Sequence, residues 1–422
     1  MKTLLRATAL LLAAAASSAA AQAPFVTGAS DRLDPLSYGV GDAVVWTFRA
    51  RALPPSAQGK SVGWSWTVAG DGPAATGTAP FVPGAPLVVT NRFSSPGFLR
   101  ATASLVDAET GRALRAEGGV VAAGACGAGA SVLELAQPEE PADFDAFWRA
   151  ALEQTRDPGL AAGAMLPPPE AVAPAVPGYR VQTFLVPIGG GRAAATGWIA
   201  WPADADAKSL PMVVRFPDYG MGPQRFPGDF DRDALFVCVH PHGFPIGRED
   251  AYYAAAFGRI SEGGNGGAYG FRDAENARPE TCYFRGMVQR GLAAMRFARS
   301  LPMWDGTSVT LAGRGQGAFL AVACAAVDGG ATFCRLSAPW LCGLGLDASW
   351  QPSFQPALRY FDAANFARRV RCPAQIEADL LDTAHSPAGA ARLYSALAGP
   401  KRLVFRQGEG GEPVSTLADT AE

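Results

Sequence analysis

Four short runs near the start of the chain alternate apolar and polar residues or are rich in Val, Trp, Phe and Thr. They are Ala43–Ala50 (AVVWTFRA), Ser61–Ala69 (SVGWSWTVA), Pro86–Phe93 (PLVVTNRF) and Phe98–Val106 (FLRATASLV). Such runs predict strands, and clusters such as Ala69-Gly70-Asp71-Gly72-Pro73 separate them. With no helical pattern between them, residues 25–120 read as a small all-β, immunoglobulin-like sandwich. Trp46, Trp64 and Trp66 are read as filling its core in preference to forming a sugar-stacking platform.

The pattern then changes. The Gly/Ala-rich stretch Val120–Ser131 (VVAAGACGAGAS) reads as a linker, placed at residues 121–137. Asp143 is positioned to cap a helix over Phe144–Gln154, with Phe144, Phe147, Trp148, Ala151 and Leu152 on one face. A strand pair follows at Tyr179–Pro187 and Ala195–Pro202. Buried strands are predicted at Pro211–Phe216, Ala234–His240, Thr307–Ala312, Ala331–Ala338, Ala374–Ala378 and Arg402–Phe405. Helices are predicted at Arg285–Ser300 and Ala318–Val327. Strands alternating with helices make residues 138–422 an α/β domain, a mostly parallel sheet with helices on both faces. Gly258–Arg272, with its GGNGG run, reads as a long glycine-rich loop at the rim or a lid.

Composition narrows the function classes. Thirty-six Lys and Arg stand against 38 Asp and Glu, a net charge of −2 that lacks the basic excess of nucleic-acid binders. Hydrophobic residues make up 49% and charged ones 18%, with a mean hydropathy of +0.08, which excludes a disordered chain and a membrane transporter. Residues 1–21 read as a secretory signal peptide: Lys2 and Arg6, an apolar run at Ala9–Ala16, and Ala19-Ala20-Ala21 before Gln22. That run is too short to span a membrane. The expected location is therefore outside the cytoplasm, periplasmic or secreted. The seven cysteines are expected to be buried, with one or two disulfides among them; no ligand spacing suggests a metal, and no cofactor is expected.

Candidate chemistry centres on Leu311-Ala312-Gly313-Arg314-Gly315-Gln316-Gly317, between an apolar strand and an apolar helix. The frame is that of the α/β-hydrolase nucleophile elbow, G-x-S-x-G, in which a serine sits on a sharp strand-to-helix turn. Gly313 and Gly317 keep the frame, but Gly315 stands where the serine belongs.

Other segments carry a resemblance. Asp143-Phe144-Asp145-Ala146-Phe147-Trp148, Trp304-Asp305-Gly306, Leu381-Asp382-Thr383 with Pro387, Tyr394-Ser395-Ala396-Leu397 and Gly399-Pro400-Lys401 resemble the acetyl xylan esterase/cephalosporin-C deacetylase family over roughly residues 138–412. The resemblance implies an α/β-hydrolase fold, a Ser-Asp-His order and removal of acetyl groups from sugars or cephalosporin-like esters. It places the triad acid at Asp382 and the lost nucleophile at Gly315. It places the lost histidine at Gly411, 29 residues after Asp382 in Gly410-Gly411-Glu412. The oxyanion donors fall on Tyr219, in Pro217-Asp218-Tyr219-Gly220 where the family has a His-Gly-Tyr motif, and on Gln316. Sixty-seven residues separate Gly315 from Asp382, which implies a trimmed rim insertion, and the family's last helix is expected to be reduced or absent. The resemblance leaves an oligomer open.

Three histidines remain as substitutes for the missing base: His240, His242 and His385. His385 lies three residues after Asp382, near the old centre, and is the candidate surrogate or ligand contact. The simpler reading of each is a locally hydrogen-bonded loop residue. Ser337 and Ser349 lie outside any elbow pattern. The expectation is an exported, acetyl-xylan-esterase-like protein that binds a saccharide or acylated ligand without serine-esterase turnover, since nucleophile and base act as one unit. The alternatives are a deacetylase using Asp382 and His385 with the retained oxyanion hole, and a binding or scaffold protein led by the β-sandwich.

Overall fold

A computed structural model describes residues 25–157, 159–167, 176–346, 350–408 and 410–419. Residues 1–21, read above as a signal peptide, and Ser349 lie outside them.

The N-terminal strands are β1 Val26–Ser30, β2 Ala43–Ala50, β3 Val62–Gly70, β4 Ala75–Pro80, β5 Leu87–Arg92, β6 Gly97–Asp107 and β7 Ala123–Ala130. They form two antiparallel sheets, β1-β2-β5 and β4-β3-β6-β7, around a shared core. Trp46 and Trp64 are fully buried in that core and Trp66 packs against it, so these rings fill the sandwich.

Strand β7 corrects the linker expectation: Val120–Ser131 is mostly a sheet strand, paired with β6 from Gly97↔Ala130 to Ser104↔Ala123. Its small residues gave no side-chain signal because neighbours approach its backbone closely. A Cβ on Gly127 would lie 2.6 Å from the Leu380 Cβ. Here small residues allow close contact rather than flexibility.

The second sheet has ten strands: β8 Ala164–Leu166, β9 Tyr179–Val186, β10 Ala195–Pro202, β11 Leu210–Phe216, β12 Leu235–His240, β13 Trp304–Arg314, β14 Phe333–Ser337, β15 Ala374–Asp379, β16 Lys401–Arg406 and β17 Pro413–Ala418. Its order is β17-β16-β15-β14-β13-β11-β12-β10-β9-β8. The pairings from β16 to β12 are parallel, and those at both edges are antiparallel. All six residues of β12, paired parallel with β11 and antiparallel with β10, are buried, as a strand covered on both faces requires.

The helices are α1 Phe144–Gln154, α2 Asp250–Ser261, α3 Asp273–Asn276, α4 Tyr283–Arg299, α5 Gln316–Asp328, α6 Ala363–Ala367 and α7 Pro387–Ala396. Helices α4, α5 and α7 pack on the sheet, and α1 packs on α4 and α5. Period-two alternation divides the strands between two cores. Met212, Val214 and Phe216 face the main core, whereas Val213 joins Trp198, Phe236, Phe226 and Phe230 in a smaller cluster.

Three local expectations need correction. Asp143 makes no capping hydrogen bond; its carboxylate accepts the Tyr360 hydroxyl. Residues 258–261 of the supposed glycine-rich loop belong to α2, and Tyr269 and Phe271 are buried beyond it. All seven cysteines are free, six of them buried, with the sulfurs of Cys334 and Cys372 3.8 Å apart.

The sandwich braces the α/β domain beside its acid-bearing loop. Arg100 donates to the Leu381 carbonyl at 2.9 Å. Gly127 and Gln407 exchange hydrogen bonds of 2.8 and 3.0 Å, and the Phe98 and Phe405 rings meet at 5.6 Å. No helix among the described residues is long and apolar enough to cross a membrane.

Candidate active site

Three strands of the parallel part of the sheet, β11 and β13 side by side and β15 beyond β14, lead into the loops that build the site. After β11 the chain turns through Pro217-Asp218-Tyr219-Gly220, after β13 it turns at Gly315 into α5, and after β15 it forms the loop leading to α7. Gly315 has φ 53° and ψ −118°, a left-handed elbow conformation. A residue with a side chain is strained there, by about 1–3 kcal/mol, whereas glycine has no Cβ penalty. Its amide donates to the Ser337 carbonyl at 2.9 Å, so that serine meets the elbow through its backbone.

The loop after β15 builds its own charged pair. Asp382 Oδ1 accepts the amides of Ala384 and His385 at 2.8 and 2.9 Å, folding the turn. Asp382 Oδ2 accepts His385 Nδ1–H at 3.0 Å, which leaves Nε2 directed at the elbow. His385 Nε2 lies 2.7 Å from where a Cβ on Gly315 would stand.

Asp218 completes the arrangement and was missed in the sequence. Its Oδ1 accepts the Tyr219 amide at 2.7 Å and the Gln316 amide at 3.2 Å. These are the two donors assigned to the oxyanion hole, and a carboxylate of the chain itself fills them. The same oxygen is 3.7 Å from His385 Nε2, an ion-pair separation too long for a hydrogen bond. Its Oδ2 faces Arg314 Nε at 3.6 Å. A Cβ on Gly315 would overlap Asp218 Oδ1 and lie 2.6 Å from its Cγ. The available signal was an acid at the glycine position of the His-Gly-Tyr motif.

The charges reinforce one another. Burial pushes the Asp218 carboxyl up, but His385 and the Tyr219 and Gln316 amides outweigh it and hold it below its usual range. Asp382 is likewise lowered, burial being outweighed by the hydrogen bonds and charge of His385 and by the Ala384 amide. Burial pulls the His385 imidazole down, but the two carboxylates raise it to about 9. At neutral pH the centre is therefore a carboxylate–imidazolium–carboxylate row with His385 only 12% exposed.

The other predicted residues lie around this row. His242 is buried between the Tyr283 hydroxyl, 2.8 Å from Nδ1, and the Gly220 carbonyl, 2.7 Å from Nε2. Burial lowers its pKa to about 4, so it is a neutral brace beneath the Asp218 loop. His240 is fully buried, and burial holds it neutral too. At Gly411, a Cβ would first meet the carbonyls of Gly408 and Gln407.

An aromatic wall adjoins Asp218. Tyr219 stacks on Tyr269 at 4.1 Å and meets Trp350 edge-on at 4.7 Å. Trp350 stacks on Trp340 at 5.1 Å and is 39% exposed. Tyr269, supplied by the segment read as a rim loop or lid, sits beneath the site: its hydroxyl accepts the Gly220 amide at 3.1 Å and donates to Gln316 Oε1 at 2.8 Å.

Comparisons with known proteins agree with this fold. Residues 135–345, half of the chain, match the family model for acetyl xylan esterase (AXE1). Acetyl esterase Axe7A of Xylanibacter ruminicola is 24% identical over 297 residues, a match spanning 64% of this chain and 64% of that relative. Among solved structures, the acetyl xylan esterase from Paenibacillus sp. R4 superposes with a TM-score of 0.53 at 19% identity, over 66% of this chain and 92% of its own. Acetyl xylan esterase 1 from Thermoanaerobacterium sp. JW/SL YS485 gives 0.54 at 18% identity, over 67% and 92%. At these identities the structures establish the α/β-hydrolase fold, and the family model establishes the kinship. The chain belongs to the acetyl xylan esterase family.

Proposed function

We propose that this protein is an exported member of the family that holds a saccharide or acylated ligand at the former ester-cleaving centre without serine-esterase turnover. One observation carries the reading: the Asp218 carboxylate occupies both the space of a serine side chain at position 315 and the two amides that would receive an ester oxyanion. An acyl group entering there finds no nucleophile on the elbow and no free donor for its carbonyl oxygen. Tyr219 and the half-exposed Trp350 supply an aromatic surface of the kind that packs on sugar rings. The apolar N-terminal segment, read as a signal peptide, supports export.

The test is titration of the full chain with acetylated xylo-oligosaccharides, monitoring heat and released acetate together. Binding weakened by Trp350→Ala, without acetate release, is expected. Acetate release that His385→Ala abolishes would overturn this reading. It would instead favour a deacetylase working through the Asp382–His385 pair, whose 3.0 Å hydrogen bond is the observation behind that second reading.

A further inference from the structure

The two oxygens of Asp218 have different surroundings. Oδ1 accepts two amides, whereas Oδ2 faces only the partly exposed Arg314 in the contacts described above, and the Asp218 side chain is 35% exposed. We infer that Asp218 is a carboxylate nucleophile for substitution at saturated carbon: Oδ2 attacks an alkyl carbon whose leaving group departs as a stable anion, and the His385–Asp382 pair hydrolyses the ester formed. The inference goes beyond the preceding proposal, since it requires the absence of elbow chemistry but no saccharide ligand.

The occupied oxyanion hole selects the electrophile. Attack on an acyl carbon needs free donors for the carbonyl oxygen, and Asp218 Oδ1 already holds them. Substitution at an alkyl carbon generates no oxyanion in its first step and needs none. In the second step the oxyanion forms on Oδ1 itself, 2.7 and 3.2 Å from its two donors. The aromatic wall of Tyr219 and Trp350 suits an arylalkyl substrate.

For an alkyl bromide the sequence balances. Asp218 Oδ2 forms a bond to carbon while the carbon–bromine bond breaks and bromide leaves with the electron pair. The ester carries no charge, so His385 loses one of the two carboxylates that keep it protonated and releases its proton to solvent. Neutral His385 then takes a proton from a water that attacks Asp218 Cγ, with charge developing on Oδ1. The Cγ–Oδ2 bond breaks, the departing alkoxide receives the proton from His385, and the new carboxylic acid returns its proton to the imidazole. Alkyl bromide and water become alcohol, bromide and a proton, and the water oxygen remains in Asp218.

The experiment uses 3-phenylpropyl bromide with the full chain, Asp218→Asn and His385→Gln, all confirmed folded by circular dichroism. Wild type is expected to release bromide at least tenfold faster than Asp218→Asn. His385→Gln is expected to accumulate a phenylpropyl ester on the tryptic peptide Phe216–Arg225, because its second step lacks a base. Equal bromide release by wild type and Asp218→Asn, or no adduct on that peptide, overturns the inference. That failure is separable from the binding proposal, which is read by saccharide titration and acetate release.

Discussion

Asp218 and Gly315 form a complementary pair: the carboxylate of one fills the volume that a side chain on the other would need. Glycine at the elbow relaxes a left-handed turn and admits a charged group that accepts the Tyr219 and Gln316 amides and faces His385.

Gly315→Ser alone is therefore expected to destabilise the protein. The new Cβ meets Asp218 and His385 Nε2 and occupies φ 53°, for a combined cost of about 2–4 kcal/mol. Adding Asp218→Gly removes the carboxylate overlap and is expected to recover part of that loss. Urea denaturation of wild type, the single variant and the double variant measures both effects. An unchanged midpoint in Gly315→Ser would show that the two side chains do not compete.

The His385 row predicts an alkaline limb in stability. The histidine is raised from 6.5 to about 9 by folding, so its contribution is complete below pH 6.5 and is lost as pH rises through about 9. Asp218 and Asp382 are lowered from 3.8, so their contribution is present above that pH and is lost as pH falls through their lowered values. Between pH 6.5 and 9.5, wild type should lose on the order of 2 kcal/mol more than His385→Gln. Parallel pH profiles of the two proteins would contradict the assignment.

Arg100 ties the N-terminal sandwich to the acid loop through the Leu381 carbonyl. Arg100→Ala should cost about 1 kcal/mol and speed amide exchange at residues 380–386, leaving the interior of β12 protected. Exchange unchanged in that loop would mean that the sandwich does not brace it.

Cys334 and Cys372 have their sulfurs 3.8 Å apart, where a disulfide requires about 2.05 Å. A rotation of the less buried Cys372 is expected to close the bond under mild oxidant, with loss of two titratable thiols. Non-reducing peptide mapping should find Cys334 linked to Cys372 in wild type and no linkage in Cys372→Ser. Oxidation that leaves both thiols free would refute the pairing.

Much of the α/β domain was legible because its buried strands are short apolar runs and α1 has a helical apolar face. Strand β7 was not: its Ala/Gly sequence carries no alternation, and its reason for being small is contact with Val26 and Leu380, distant in sequence. At the site, the three-residue step from Asp382 to His385 was readable and already placed the histidine near the acid. The place of Asp218 was not, because a carboxylate after a strand looks like any polar loop residue until Gly315 leaves room for it. Tyr269 was hidden for a related reason, in a glycine-rich segment whose aromatic ring turns inward beneath the Asp218 loop.

The most direct test is hydrolysis of p-nitrophenyl acetate by wild type, by Asp218→Gly/Gly315→Ser, and by that double variant with His385→Ala. If Asp218 occupies an otherwise intact ester-cleaving centre, wild type gives only background hydrolysis. The double variant, with a serine beside His385 and both oxyanion amides free, gains at least a hundredfold, and His385→Ala removes the gain. Wild-type hydrolysis well above background, or a folded double variant with no gain, would contradict the account.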